Sequence, residues 1–153
     1  MKHILSIVMC MVILAACAPK KELVRTGAFY DIAPRFARSQ GNMEYFLAYG
    51  KGINESECRS NAEAGLIKTL IYQGVRDGIN INPILNEPQS VAAFKTREQT
   101  ALSVLQGRSG LIDNSGKPTN RMRQSTDKNA LYSMAFEIGV NRSLLTAEVV
   151  GTK

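Results

Sequence analysis

Residues 43–71, MEYFLAYGKGINESECRSNAEAGLIKTLI, run a strand, a glycine-rich stop and a long helix together, and this order sets the fold class. From Met43 to Ile53 the side chains alternate. Met43, Tyr45, Leu47 and Tyr49 share one side, and Glu44, Phe46, Ala48 and Gly50 the other, the period of two that marks a strand. Both sides are fairly apolar, so the strand is expected to be central or covered by helices on one side. Gly50-Lys51-Gly52 then relaxes the chain. A bulge or strand end accounts for these glycines, since a phosphate loop needs more of its fingerprint than Gly-Lys-Gly. Asn54 and Glu57 have capping-box spacing and open a helix. In it Cys58, Ala62, Leu66, Leu70 and Gly74 fall on one i, i+4 line, with Ala64, Ile67, Ile71, Val75 and Gly78 beside it. An apolar arc this wide predicts a helix lying across the sheet at the centre of the core. Its expected end is Asp77-Gly78, and Pro83 forbids continuation.

Working toward the C-terminus, residues 79–88 read as a loop, with Asn80, Asn82, Pro83, Asn86 and Pro88. A second helix is expected from Gln89 or Ser90 to Leu105, with Val91, Phe94, Ala101, Leu102 and Leu105 inward. Residues 107–128 are polar, loop-like and net basic, carrying Arg108, Lys117, Arg121, Arg123 and Lys128. A strand follows from Ala130 to Val140, whose even positions are nearly all apolar and should face the helices. Asn141 can cap a final helix over Arg142–Val150 with Leu144, Leu145 and Val149 inward; a terminal strand is the alternative there. The sum is an α+β fold: a two-layer domain over residues 43–153, with helices on one face of a small, mainly antiparallel sheet. Residues 23–30 and 111–126 are expected to supply its remaining strands.

Working toward the N-terminus, residues 17–42 mix charges with Pro19, Gly27, Pro34 and Gly41, which reads as a tether and irregular lead-in. Phe29, Tyr30 and Phe36 are the residues expected to lie against the domain. Ahead of them, Lys2 precedes a nearly unbroken apolar run over residues 4–16, signal-peptide length and short of the roughly 20 residues of a spanning helix. The run ends in Leu14-Ala15-Ala16-Cys17, which resembles the lipobox of bacterial lipoproteins at every position. The resemblance implies a signal peptide over residues 1–16, cleavage before Cys17, a thioether-linked diacylglycerol on its sulfur, and acylation (palmitate) of the new amino group. A cysteine suits this chemistry because its thiolate is the best side-chain nucleophile for alkylation. Several acyl chains, at about 0.8 kcal/mol per buried methylene, hold a domain on a membrane. Ala18, where an Asp would signal retention, implies transfer to the outer membrane, and no acidic run follows to signal surface export. The expected location is lipid-anchored and periplasm-facing.

The only histidine is His3, inside the expected leader, so residues 17–153 contain none. That excludes Ser-His-Asp and Cys-His catalysis and histidine-ligated zinc within them. Cys58 is the one thiol there besides Cys17. It is read as a buried small side chain, with a reactive thiol near a helix start as the alternative. Without histidine, an enzyme would need paired carboxylates, a Ser-Lys pair or the Cys58 thiolate. Glu55, Glu57 and Glu63 lie on or near a helix, where glutamates usually face solvent, and Ser109 has no identifiable lysine partner. No catalytic site, metal site or cofactor is expected. With Lys2 removed, 18 basic face 13 acidic side chains, a net +5 that suits anionic surfaces and falls short of a nucleic-acid footprint.

The strand, Gly-Lys-Gly turn and alanine-spaced helix of Tyr45–Ile71 resemble small envelope lipoproteins and the amino-terminal domain of FlgT-type flagellar assembly proteins. In those a strand ending in glycines precedes a helix with alanine every three or four residues. The likeness implies a ring-associated or assembly-accessory role and transfers no catalytic residue. Two functions follow as expectations. The first is a non-enzymatic envelope accessory protein that docks on a larger assembly, with a protein partner or a second copy. The second is a module that binds an anionic polymer, peptidoglycan or lipopolysaccharide, through Arg108, Lys117, Arg121, Arg123 and Lys128. Metabolic labelling with a clickable palmitate should mark the wild-type chain, while Cys17→Ser should take up no label and keep its leader. Equal labelling of both would remove the lipoprotein reading.

Overall fold

A computed structural model describes residues 32–123 and 131–151. The leader, Cys17, Phe29, Tyr30, the strand expected over residues 23–30, and Lys128 lie outside the described residues. The strands are β1 (Arg35–Gln40), β2 (Met43–Gly52), β3 (Ile112–Asp113), β4 (Asn120–Arg123) and β5 (Tyr132–Val140). The helices are α1 (Glu55–Tyr72), α2 (Pro88–Lys95), α3 (Glu98–Gln106) and α4 (Arg142–Gly151). All strand pairs are antiparallel: β1 lies beside β2, β2 beside β5, and β3 and β4 share the far side of β5. The fold is therefore α+β, as the sequence pattern predicts.

Register decides which face is which. Phe46 stands opposite Ile138, Ala48 opposite Phe136 and Gly50 opposite Met134. These even positions join Cys58, Ala62, Leu66, Ile67, Leu70 and Ile71 of α1 in one buried cluster. Phe94, Leu102 and Leu105 from α2 and α3, and Leu145 and Val149 from α4, close the same cluster. The odd positions, Tyr45, Leu47, Tyr49 and Ala135, contribute nothing to it. All four helices thus share the even face, and the periodicity of β2 and β5 is what sorts them there.

Gly50 and Gly52 are the seat of α1. A β-carbon on Gly50 would fall 1.7 Å from the Cys58 carbonyl oxygen and 2.7 Å from the Ala62 nitrogen. One on Gly52 would fall 2.8 Å from the Glu57 Cβ. The backbone of the first helical turns rests directly on the strand, and only glycine leaves the room. The cap forms as the spacing predicts. Asn54 Oδ1 accepts the Glu57 amide at 2.8 Å, and Glu57 Oε2 accepts the Ile53 amide at 3.0 Å, one residue ahead of the usual target.

Three expectations need correction. The lead-in over residues 17–42 is not irregular throughout, because Arg35–Gln40 pairs with β2 through the two-residue turn Gly41-Asn42, with Gly41 at φ +60°. The register slips at Ala37, so β1 shows no clean alternation. Phe36 alone reaches the core, edge to face with Phe46 at 5.9 Å. Next, α1 stops at Tyr72 and not at Asp77. Gly74 adopts φ +72° and, like Gln73, donates to the Thr69 carbonyl, while the Ile84 and Leu85 amides cap Leu70 and Ile71. Finally, the helix expected from Gln89 to Leu105 is two. Thr96 Oγ1 bonds the Ala93 carbonyl at 2.8 Å, Arg97 turns out of helical geometry at φ −122° and ψ 13°, and α3 starts afresh.

Gly50→Ala should cost on the order of 3 kcal/mol or more, since backbone on both sides has no slack. Gly65→Ala, mid-helix with nothing within 4 Å of the added carbon, should gain about 0.5–1 kcal/mol. Urea unfolding of both variants measures this, and a Gly50→Ala protein as stable as wild type would contradict the seat.

Candidate functional site

The break between α2 and α3 borders a strongly apolar hollow. Pro88 starts α2 at a position where its fixed φ suits a helix and its missing N–H costs nothing. Phe94 turns inward, edge to face with Tyr72 at 6.1 Å. In α3, Leu102 and Leu105 are buried, while Val104 is 62% exposed. On the other side, α4 is capped by Asn141 Oδ1, which accepts the Leu144 amide at 3.1 Å, and it buries Leu145 and Val149. Between these elements lies a hollow of about 200 Å³ walled by Phe94, Ala101, Val104 and Leu105. Arg97, Thr100 and Glu148 stand on its rim.

Polar contacts set the pose of this corner. Lys68 Nζ meets Glu98 Oε2 at 2.8 Å, and Gln106 Nε2 donates to the Ser60 carbonyl at 2.9 Å, so α3 is pinned to α1 at both ends. The lysine, with help from Tyr72, holds the Glu98 carboxyl below its ordinary range. Burial, and then the facing Glu98, push the Tyr72 hydroxyl up to about 12. Arg108 Nη2 meets Glu148 Oε1 at 2.9 Å and ties the end of α3 to α4. Arg97 places its guanidinium 5.7 Å from the Phe94 ring centroid and makes no ion pair among the described residues.

The basic residues expected to form one anionic contact do not converge. Arg108 sits at the Val140 end of β5, where its carbonyl accepts the Leu111 amide and Asn141 bonds Leu111 in turn. Arg121 and Arg123 sit at the other end of β5, 4.7 and 6.0 Å from the Tyr132 ring centroid. The two ends are about 25 Å of strand apart. Lys117 is exposed in the β3–β4 loop, and Lys128 lies outside the described residues.

The carboxylates and the thiol considered for catalysis hold structural bonds. Glu55 pairs with Arg59 at 2.9 Å, Glu57 caps α1, and Glu63 accepts Asn114 Nδ2 at 2.7 Å. Cys58 is fully buried, its sulfur 3.5 Å from the Tyr132 carbonyl oxygen. Burial, and then Glu57, push its thiol up, the opposite of an activated nucleophile. No group of three His, Cys, Asp or Glu among the described residues could hold a metal ion. Likewise, none of the described helices is long and apolar enough to cross a membrane.

The helix-free face carries a polar brace. Arg38 grips Glu137 Oε1 through Nε at 3.0 Å and Nη2 at 2.7 Å, and its guanidinium lies 3.8 Å over the Tyr45 ring. Tyr45 donates to Asp113 Oδ2 at 2.9 Å, which together with Ser115 lowers the Asp113 carboxyl. The brace links β1, β2, β5 and β3, and its groups satisfy one another.

Compared with known proteins, the chain matches no protein family, no curated protein and no solved structure. Roles therefore rest on geometry. Sequence reading placed Phe94, Ala101 and Leu105 inward but missed Val104, Arg97, Thr100 and Glu148. The available signal was the run Ala101-Leu102-Ser103-Val104-Leu105, whose apolar arc is wider than one buried face requires.

Near neutral pH, Cys58 in the native protein should resist Ellman's reagent for minutes and react fully once urea is added. Prompt native reaction would reopen the nucleophile reading.

Proposed function

We propose that the protein is a non-enzymatic accessory of the bacterial envelope, anchored to the outer membrane by lipid on Cys17, facing the periplasm, and docking on a larger assembly. The observation that carries this reading is the apolar hollow at the α2–α3–α4 corner, with Val104 exposed on its wall. An apolar hollow of this size, with an aliphatic side chain exposed on its wall, can seat one apolar anchor of a partner protein. The lipobox and the FlgT-type likeness of Tyr45–Ile71 support the same reading. The polymer-binding alternative keeps one favouring observation, the two arginines gathered over Tyr132. It is weakened because Arg108 is paired to Glu148 and stands far from them.

Brief crosslinking in cells, followed by purification in mild detergent, tests the proposal. The wild-type chain should bring down a stoichiometric partner. Val104→Asp, a change in the exposed last turn of α3 that costs about 1 kcal/mol through the helix dipole and propensity, should reduce recovery at least tenfold without unfolding the protein. Unchanged recovery would contradict docking at this corner. Recovery of glycan fragments lost in Arg121→Ala/Arg123→Ala would favour the polymer-binding module.

A further inference from the structure

We infer that the α2–α3–α4 hollow receives an amphipathic helix of a partner protein, which seats one large apolar side chain in the hollow and sets a carboxylate one turn away against Arg97. The inference rests on the docking reading above and names the chemistry of the partner.

Size and charge carry it. About 200 Å³ between apolar walls holds one or two side chains of leucine or phenylalanine size. It falls below the roughly 300–1,000 Å³ of sites that enclose a small-molecule ligand. The rim has two charges in unequal states. Glu148 is already bonded by Arg108 at 2.9 Å. Arg97 is exposed, borders the same hollow, and has no ion-pair partner among the described residues. A docking surface with an apolar seat and one uncompensated cation attracts an acidic-flanked anchor and repels a basic one. Spacing agrees. Arg97 and Ala101 are four residues apart, about 6 Å along the axis of α3, a separation matched by an anchor and a carboxylate at i and i+4 of a helix docked over the hollow.

The test uses the full-length protein in phosphatidylcholine nanodiscs and three synthetic helical peptides. Each has one leucine anchor, and they differ only in carrying Glu, Gln or Lys four residues on. Methyl spectra of Val104, Leu105 and Ala101 report occupancy. The Glu peptide should bind at least tenfold tighter than the Lys peptide, with Gln between. Arg97→Gln should level the three affinities, and Arg97→Glu should reverse their order. Equal affinities at the hollow would overturn the acidic-flanked partner and leave the docking reading standing. No peptide shift at these methyls, with none lost on Val104→Asp, would overturn both. Two further results would overturn the inference by naming another occupant. One is a concentration-dependent dimer abolished by Val104→Asp, which makes it a second copy. The other is broadening of the Val104 methyls by spin-labelled lipid, which makes it the bilayer.

Discussion

The rest of the structure hangs on a backbone-to-backbone contact, the first turns of α1 lying on Gly50 and Gly52 of β2. A helix normally stands off a sheet by the length of its side chains. Here two residues without side chains let it sink. That descent seals Cys58 against the Tyr132 carbonyl of β5. It also brings Arg59 over the Phe136 ring at 4.6 Å, from where Nη1 reaches the Asn114 and Gly116 carbonyls at 2.7 and 2.9 Å. The loop that carries the chain from β3 to β4 is thereby held by a residue of α1. At the far end, Gly74 and the Ile84 and Leu85 amides finish the helix and launch the chain toward α2.

The elements differ in how they are held. The α1–β2–β5 body is fixed by buried Phe46, Leu66, Leu70, Phe136 and Ile138, an arrangement with little tolerance for displacement. The α2–α3 corner contributes Phe94, Leu102 and Leu105 to that core, but its pose also depends on the Lys68–Glu98 and Gln106–Ser60 contacts at the surface. Exposed polar ties of this kind contribute little each. On the opposite face, the Arg38–Glu137 and Tyr45–Asp113 brace spends its polar groups on one another.

How much of this the sequence displayed depended on whether local pattern and tertiary role agreed. β2, the cap of α1, β5 and α4 were legible because alternation, capping residues and helical spacing each answer directly to the core they bury. β1 was hidden because Arg-Phe-Ala-Arg-Ser-Gln is polar and a bulge at Ala37 breaks its period, although Gly41-Asn42 is a two-residue hairpin signal. The early end of α1 was obscured because Val75 continues the apolar stripe while turning away to bridge Ile81. The break at Thr96-Arg97 had no punctuating glycine or proline. The hollow was less visible still, since it arises between helices distant in sequence. The basic residues seemed a cluster because they are near in sequence, whereas β5 separates them in space.

The measurement that tests this account most directly is native-state amide hydrogen exchange across increasing denaturant. If the glycine seat organises the fold, the amides of Ala62 and Leu66 in α1 and those of β2 and β5 should exchange last, at the free energy of global unfolding. The amides of α2 and α3 should open at a distinctly lower free energy. If α1 exchanged as early as α2 and α3, or earlier, the helix would not be the element on which the others depend.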